Sequence, residues 1–260
     1  MEPNKFIAEV YRRMDMEDSR YIDSLDPDLF LNNKFVKHTL KDYQKALPQN
    51  KDTKILDIGF GMGIFSATCI HLGYENVHCA DFGAKHKLLK VSKEFPQIKG
   101  VYNIESTVGD FLGDSDEKFD FIHLSHVIEH IPKHSLLYLV DSIYKSLNRD
   151  GIFFARTPNM LGPISLHGLF CTLGHEYGFT EYNLSSLLKI CGFEMIQFYK
   201  FKPDQSLKQK SANILRKLFY SKENLKYRLF LGAHPQVIGN ELIVSGTRKD
   251  KPELFDKKFK

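Results

Sequence analysis

Lys54-Ile55-Leu56-Asp57-Ile58-Gly59-Phe60-Gly61-Met62-Gly63-Ile64 is the stretch on which the reading of the fold turns. Its first five residues read as a buried strand, its three alternate glycines as a tight turn, and the apolar segment 64–72 as a helix that starts at once. Glycine in such a turn lets a ligand come close to the backbone. The N–H groups of the helix's first turn favour a carboxylate or phosphate. Dinucleotide-binding domains open in a similar way but space their glycines G-x-G-x-x-G. Here the spacing is G-x-G-x-G, directly after Asp57-Ile58.

Further apolar runs bounded by turn residues lie at 76–80, 119–124 and 151–157, with a weaker one at 104–108 and two more at 193–201 and 241–248. Helical-period segments such as 135–147 separate most of them. Seven strands alternating with helices predict an α/β fold, a doubly wound, mainly parallel sheet covered on both faces. Residues 1–50 read as an N-terminal helical cap, broken at Asp26-Pro27 and closed by Leu47-Pro48. One domain, 51–249, follows, with insertions at about 158–180 and 203–240 and a charged tail at 250–260.

At 260 residues, 42% hydrophobic, the chain can bury a full α/β core. No run approaches the ~20 apolar residues of a membrane span, and residues 1–20 are too charged for a secretory signal, so a soluble, cytoplasmic protein is expected. Cys69, Cys79, Cys171 and Cys191 form no CxxC pair and read as reduced structural thiols. Net charge is +4 but uneven, with 15 Lys/Arg against 6 Asp/Glu from Lys200 to Lys260 and 21 against 26 elsewhere.

The separated motifs between residues 54 and 248 resemble the class I, seven-stranded Rossmann-like methyltransferases, particularly bacterial small-molecule and glycan enzymes. That resemblance implies an antiparallel last strand and S-adenosyl-L-methionine (SAM) as cofactor. It places Asp57, Gly59, Gly61 and Gly63 around the methionine portion and Asp81 on the ribose hydroxyls. Phe82 then supplies an apolar face for adenine, and Asp110 and Phe111 of Gly109-Asp110-Phe111 meet its edge. A carboxylate suits a ribose because it can accept two hydroxyl hydrogen bonds. Phe60 departs from the small residue usual in this loop, which would narrow it.

The stretch from Phe119 through Leu124-Ser125-His126-Val127-Ile128-Glu129-His130-Ile131-Pro132 resembles the family's fourth strand and turn, with Leu124 and Ser125 facing the cofactor. Ligands of open α/β sheets sit beyond the carboxyl ends of the strands. His126, and after it His130, are therefore candidate bases for a hydroxyl acceptor. The segment ending Gly174-His175-Glu176-Tyr177-Gly178-Phe179-Thr180 resembles one the family has before its next helix, which implies that His175 and Tyr177 face the acceptor. His126 to His130 also spells the zinc-protease pattern H-x-x-E-H, but Pro132 and the strand-end context argue against the helix such ligands need, and no metal is expected. The Asn/Asp-Pro-Pro-aromatic string of base-amine methyltransferases is absent, so no nucleic acid is expected.

Within 203–240, Leu207, Ile214, Leu215 and Leu218 share one helical face among Lys208, Lys210, Arg216, Lys217 and Lys222. Packing over the sheet edge with a solvated basic face is one outcome; gripping an anionic acceptor or making peripheral membrane contact is the other. The expected acceptor is a sugar hydroxyl or a phosphate-bearing glycan precursor of a bacterial surface polysaccharide. A free metabolite, quinone-like or amine, and a non-catalytic SAM-binding partner protein are the alternatives.

Overall fold

The computed structural model describes residues 36, 43–82, 92–200, 207–232 and 235–250. Most of the expected N-terminal cap and nearly all of the tail lie outside these residues. In chain order the elements are β1 (Ile55–Ile58), α1 (Ile64–His71), β2 (Val77–Phe82), β3 (Ile98–Ile104), α2 (Val108–Gly113) and β4 (Phe119–Ser125). Two 3-10 turns, Ile128–His130 and Lys133–Ser135, lead to α3 (Leu136–Ser146), β5 (Leu147–Pro158), α4 (Ser165–Phe170), α5 (Glu181–Ile190), β6 (Phe193–Phe198), α6 (Leu207–Leu231) and β7 (Glu241–Arg248).

The seven strands form one sheet in the order β3-β2-β1-β4-β5-β7-β6. β7 runs antiparallel to both β5 and β6, and the other pairings are parallel. Chain order reverses direction between β1 and β4, and a doubly wound sheet opens its ligand crevice at that point. Side chains alternate across the strands as the pleat requires. Leu56, Ile58, Ile122, Leu124, Phe153 and Ala155 enter one core layer, and Ile55, Phe121, Phe154 and Ile243 the other. Helix α3 closes the first layer with Leu136, Leu139, Val140 and Ile143, a helical stripe three and four residues apart. Val36, Tyr43, Ala46 and Leu47, all buried, contribute to the second.

The expected strand at 104–108 is displaced. β3 ends at Ile104, and Thr107 stops any extension because its side chain accepts from the Asp110 amide and starts α2. At α5 the local signals and the structure agree. Thr180 and Asn183 form a reciprocal capping box, and Gly192 follows the helix with φ 93°. The cysteines are free thiols, three of them buried. Among the described residues no helix is long and apolar enough to cross a membrane.

Candidate functional site

At the carboxyl end of β1 the chain turns through Gly59 (φ 73°), Gly61 (φ 50°) and Gly63 (φ 69°). This left-handed backbone is costly for any residue with a Cβ. Gly59 is doubly constrained, since a Cβ there would lie 2.3 Å from Val127 Cγ2. The glycine loop thus packs directly on the turn that follows β4. No side chain caps the start of α1, and Gly61 and Met62 before it are exposed. Phe60 does not narrow the loop as its bulk suggested. It turns inward, 4% exposed, and fills the second core layer.

Asp57 also differs from expectation. Its side chain does not line the cofactor crevice but lies under the loop, 3% exposed, where Oδ2 accepts from Ser66 Oγ (2.6 Å) and Oδ1 pairs with His123 Nδ1 (2.8 Å). Burial keeps His123 below its ordinary pKa despite the carboxylate beside it, so the ring is neutral and donates through Nδ1. Its Nε2 then accepts from the Tyr43 hydroxyl at 3.2 Å. Phe65 stacks on the same ring at 3.6 Å between centroids. Asp57 and His123 are register partners on β1 and β4. They form a polar pair in the otherwise apolar second layer, flanked in register by Cys79 on β2 and Phe154 on β5.

At the end of β2, Asp81 accepts the Gly61 amide on Oδ2 (2.7 Å) and the Phe82 amide on Oδ1 (2.8 Å). A carboxylate is an acceptor suited to the two hydroxyls of a diol. Phe82 is 38% exposed, an apolar face at the crevice. Asp110 opens α2 and accepts from Thr107 Oγ1 (2.7 Å) and Tyr138 Oη (3.0 Å), which hold its carboxyl below the usual range. Phe111 packs on Tyr102 (5.6 Å) and walls a cleft of about 310 Å³ beside β3. Leu124 is fully buried in the core, so only its backbone can reach a cofactor, whereas Ser125 at the strand end is half-buried. A positive-φ glycine cradle, an open helix start, an acid and an exposed aromatic ring together fit SAM.

The turn after β4 carries the chemistry-bearing histidines. His126 has φ 55°, a strained conformation for a non-glycine residue. Its Nδ1 meets Glu129 Oε1 at 3.0 Å and its Nε2 meets Glu241 Oε1 at 3.2 Å. A neutral imidazole has one N–H, so two carboxylate partners select the cation. Burial opposes this, but the two acids outweigh it and raise His126 to about 9. Against burial, His126 and Arg156 hold Glu241 down to about 2. The first candidate base is therefore charged at neutral pH and ill-suited to take a proton.

His130 is arranged differently. Its Nδ1 donates to the Gly174 carbonyl at 2.7 Å, and burial lowers its pKa, so the neutral ring carries its lone pair on Nε2. His175 likewise donates Nδ1–H to Gly168 O (2.6 Å), and the two rings lie 4.7 Å apart. Glu129 joins them, since its backbone carbonyl accepts from the amides of Glu176 (2.8 Å) and Tyr177 (3.1 Å). Ligand atoms of Glu129, His130 and His175 fall within 4.8 Å of one another, a composition able to hold a divalent cation. Both Glu129 oxygens, however, already accept from His126 and Thr157 (3.1 Å), which accounts for the cluster as a hydrogen-bonded bracket. The H-x-x-E-H string spans a strand end and a 3-10 turn, not a helix.

Glu241, Arg156 and His123 were missed in the sequence. Glu129, inside the recognised motif, carried a local signal. Glu241 lies 115 positions from His126 and nothing nearby marks it.

The methyltransferase domain family matches residues 33–198 of the chain. A ribosomal protein L11 methyltransferase of Staphylococcus saprophyticus is 33% identical over 100 residues, 38% of this chain and 30% of that one. The chain thus spans about a third of the curated relatives it matches. Among solved structures, a SAM-dependent methyltransferase of Archaeoglobus fulgidus superposes with TM-score 0.58 at 16% identity, over 85% of this chain and all of that one. The Burkholderia thailandensis 1,6-didemethyltoxoflavin-N1-methyltransferase, solved with 1,6-didemethyltoxoflavin and S-adenosylhomocysteine, gives 0.58 at 16%, over 96% and 92%. Glycine loop, sheet order and family match converge: the chain belongs to the methyltransferase domain family.

Proposed function

We propose that the enzyme O-methylates a sugar hydroxyl or a phosphate-bearing glycan precursor, with His130 as the base. The neutral His130 ring carries the reading, since its Nδ1–H is committed to Gly174 and Nε2 is thereby the proton-accepting atom. SAM supplies a methyl group on a sulfonium, which leaves a neutral thioether. His130 takes the hydroxyl proton as the acceptor oxygen bonds the methyl carbon and the carbon–sulfur bond breaks. His126, clamped by Glu129 and Glu241, is a positioning residue that fixes the turn carrying His130. His175 shapes the acceptor side. The acidic Asp81 and Asp110, with Phe82, Phe111 and the backbone of Leu124 and Ser125, serve the cofactor; Asp57 supports the loop from below.

The test is methyl transfer from labelled SAM to sugar phosphates and lipid-linked oligosaccharides, beside phenols and amines, for the native chain and His130→Gln. The expected result is transfer to a glycan oxygen, with kcat reduced roughly 10²–10⁴-fold in the variant and SAM affinity unchanged. Turnover of amines or phenols alone would move the acceptor to free metabolites. SAM binding without transfer to any of them would leave a binding protein and end the catalytic reading.

A further inference from the structure

Helix α6 is built the reverse way for a helix on a globular surface. Its partly buried positions from Ile214 onward are Tyr220, Glu223, Asn224 and Tyr227, a helical stripe of polar and phenolic residues turned toward the body. Tyr227 Oη donates to the Leu161 carbonyl there, at 3.3 Å. The opposite side carries Ile214, Leu218, Leu225 and Leu229, spaced four, seven and four residues apart and between 53% (Leu225) and 71% (Leu229) exposed. Packing of this apolar face over the sheet edge, one of the two expectations from sequence, is not what the fold adopts.

Charge decides among occupants. Lys217 and Arg228 run along one edge of the stripe, Lys222 and Lys226 along the other, all exposed. From Leu207 to Leu231 there are seven Lys/Arg and one acid, Glu223. A second copy of the chain would set this basic face against itself. An apolar stripe between rows of cations matches the boundary between anionic headgroups and acyl chains. The neighbouring insertion, touched by Tyr227 at Leu161, also exposes Leu166, Phe170 and Leu173, at 72%, 76% and 80%. We propose that α6 docks the enzyme on an anionic bilayer, with Ile214, Leu218, Leu225 and Leu229 in the acyl boundary and the flanking cations at the headgroups. The proposal stands independently of the acceptor, and it would bring the active site to a lipid-linked one.

Co-sedimentation of the full chain with phosphatidylcholine/phosphatidylglycerol vesicles, beside pure phosphatidylcholine, tests it. Two variants accompany it: Leu218→Ser with Leu225→Ser and Leu229→Ser, and Lys217→Glu with Lys222→Glu. All five positions are exposed, so an unchanged melting temperature and SAM response verify the fold and keep this test separate from that of the acceptor. Binding to the anionic vesicles is expected, weakened by salt and reduced roughly tenfold or more in each variant. No sedimentation with anionic vesicles, or equal sedimentation of the triple-serine variant, would overturn it. So would a dimer in gel filtration that the triple-serine variant dissolves, which would assign the face to a second copy.

Discussion

Replacing His123 by Phe would remove two hydrogen bonds, to Asp57 and from Tyr43, while keeping a ring against Phe65 and Phe154. Asp57 Oδ1, in a residue 3% exposed, would lose its 2.8 Å donor and retain only Ser66 on the other oxygen. A hydrogen bond to a charged group contributes about 1.5–3 kcal/mol, and stranding a buried charge costs about 3–5 kcal/mol when its partner goes. With Ser66 remaining, about 3 kcal/mol is expected, or roughly 6–12 °C in melting temperature for a chain this size. Urea unfolding without SAM measures it. Adding Asp57→Asn should return more than about 1 kcal/mol relative to the sum of the single losses, because the stranded charge is gone. A loss below about 1 kcal/mol, or strict additivity, would refute the view that this pair supports the glycine loop. A loss seen only with SAM present would make Asp57 a direct cofactor ligand instead.

SAM should raise the melting temperature of the native chain, by about 2.7 kcal/mol of stabilisation at ~100 times its dissociation constant; Asp81→Ala and Gly59→Ala should abolish most of the rise, as read by thermal shift, the latter through its positive φ and the Val127 contact. His126 has a folded pKa above its unfolded value, so its stabilisation is full below about 6.5 and fades as pH climbs through about 9. Melting curves from pH 6 to 10 should therefore fall for the native chain and fall less for His126→Asn, a residue that tolerates left-handed backbone. Glu241, depressed to about 2, loses its contribution only as pH drops from its unfolded range through that value.

The legible parts of this molecule were those written in local chemistry. Three alternate glycines after an apolar strand force a left-handed turn wherever they occur, and Thr180 with Asn183 caps a helix without help from distant residues. Alternating apolar runs located the seven strands; the largest displacement is at 104–108, where the Thr107 cap starts a helix, while β5 begins earlier than 151 and β6 ends before 201. The two candidate bases part for a different reason. The sequence placed His126 ahead of His130, but their charges diverge because Glu241 arrives from β7 beside one while Gly174 O meets the other. Asp57 was read as a ligand because its sequence position is known, whereas its orientation depends on pairing with His123 across two strands. Likewise the α6 pattern shows an apolar face but not which way it points.

The polar pair beneath the loop has a consequence for how the sheet assembles. Were β1 to slip by one residue against β4, Asp57 would stand opposite Ile122 or Leu124 in place of His123. Its carboxylate and the imidazole would each be sealed among hydrocarbon, and every side chain of the slipped strand would change faces. Purely aliphatic strands discriminate weakly among such mispaired arrangements, so this one carboxylate–imidazole pair raises the energy of a sheet that is almost correct above that of the native one.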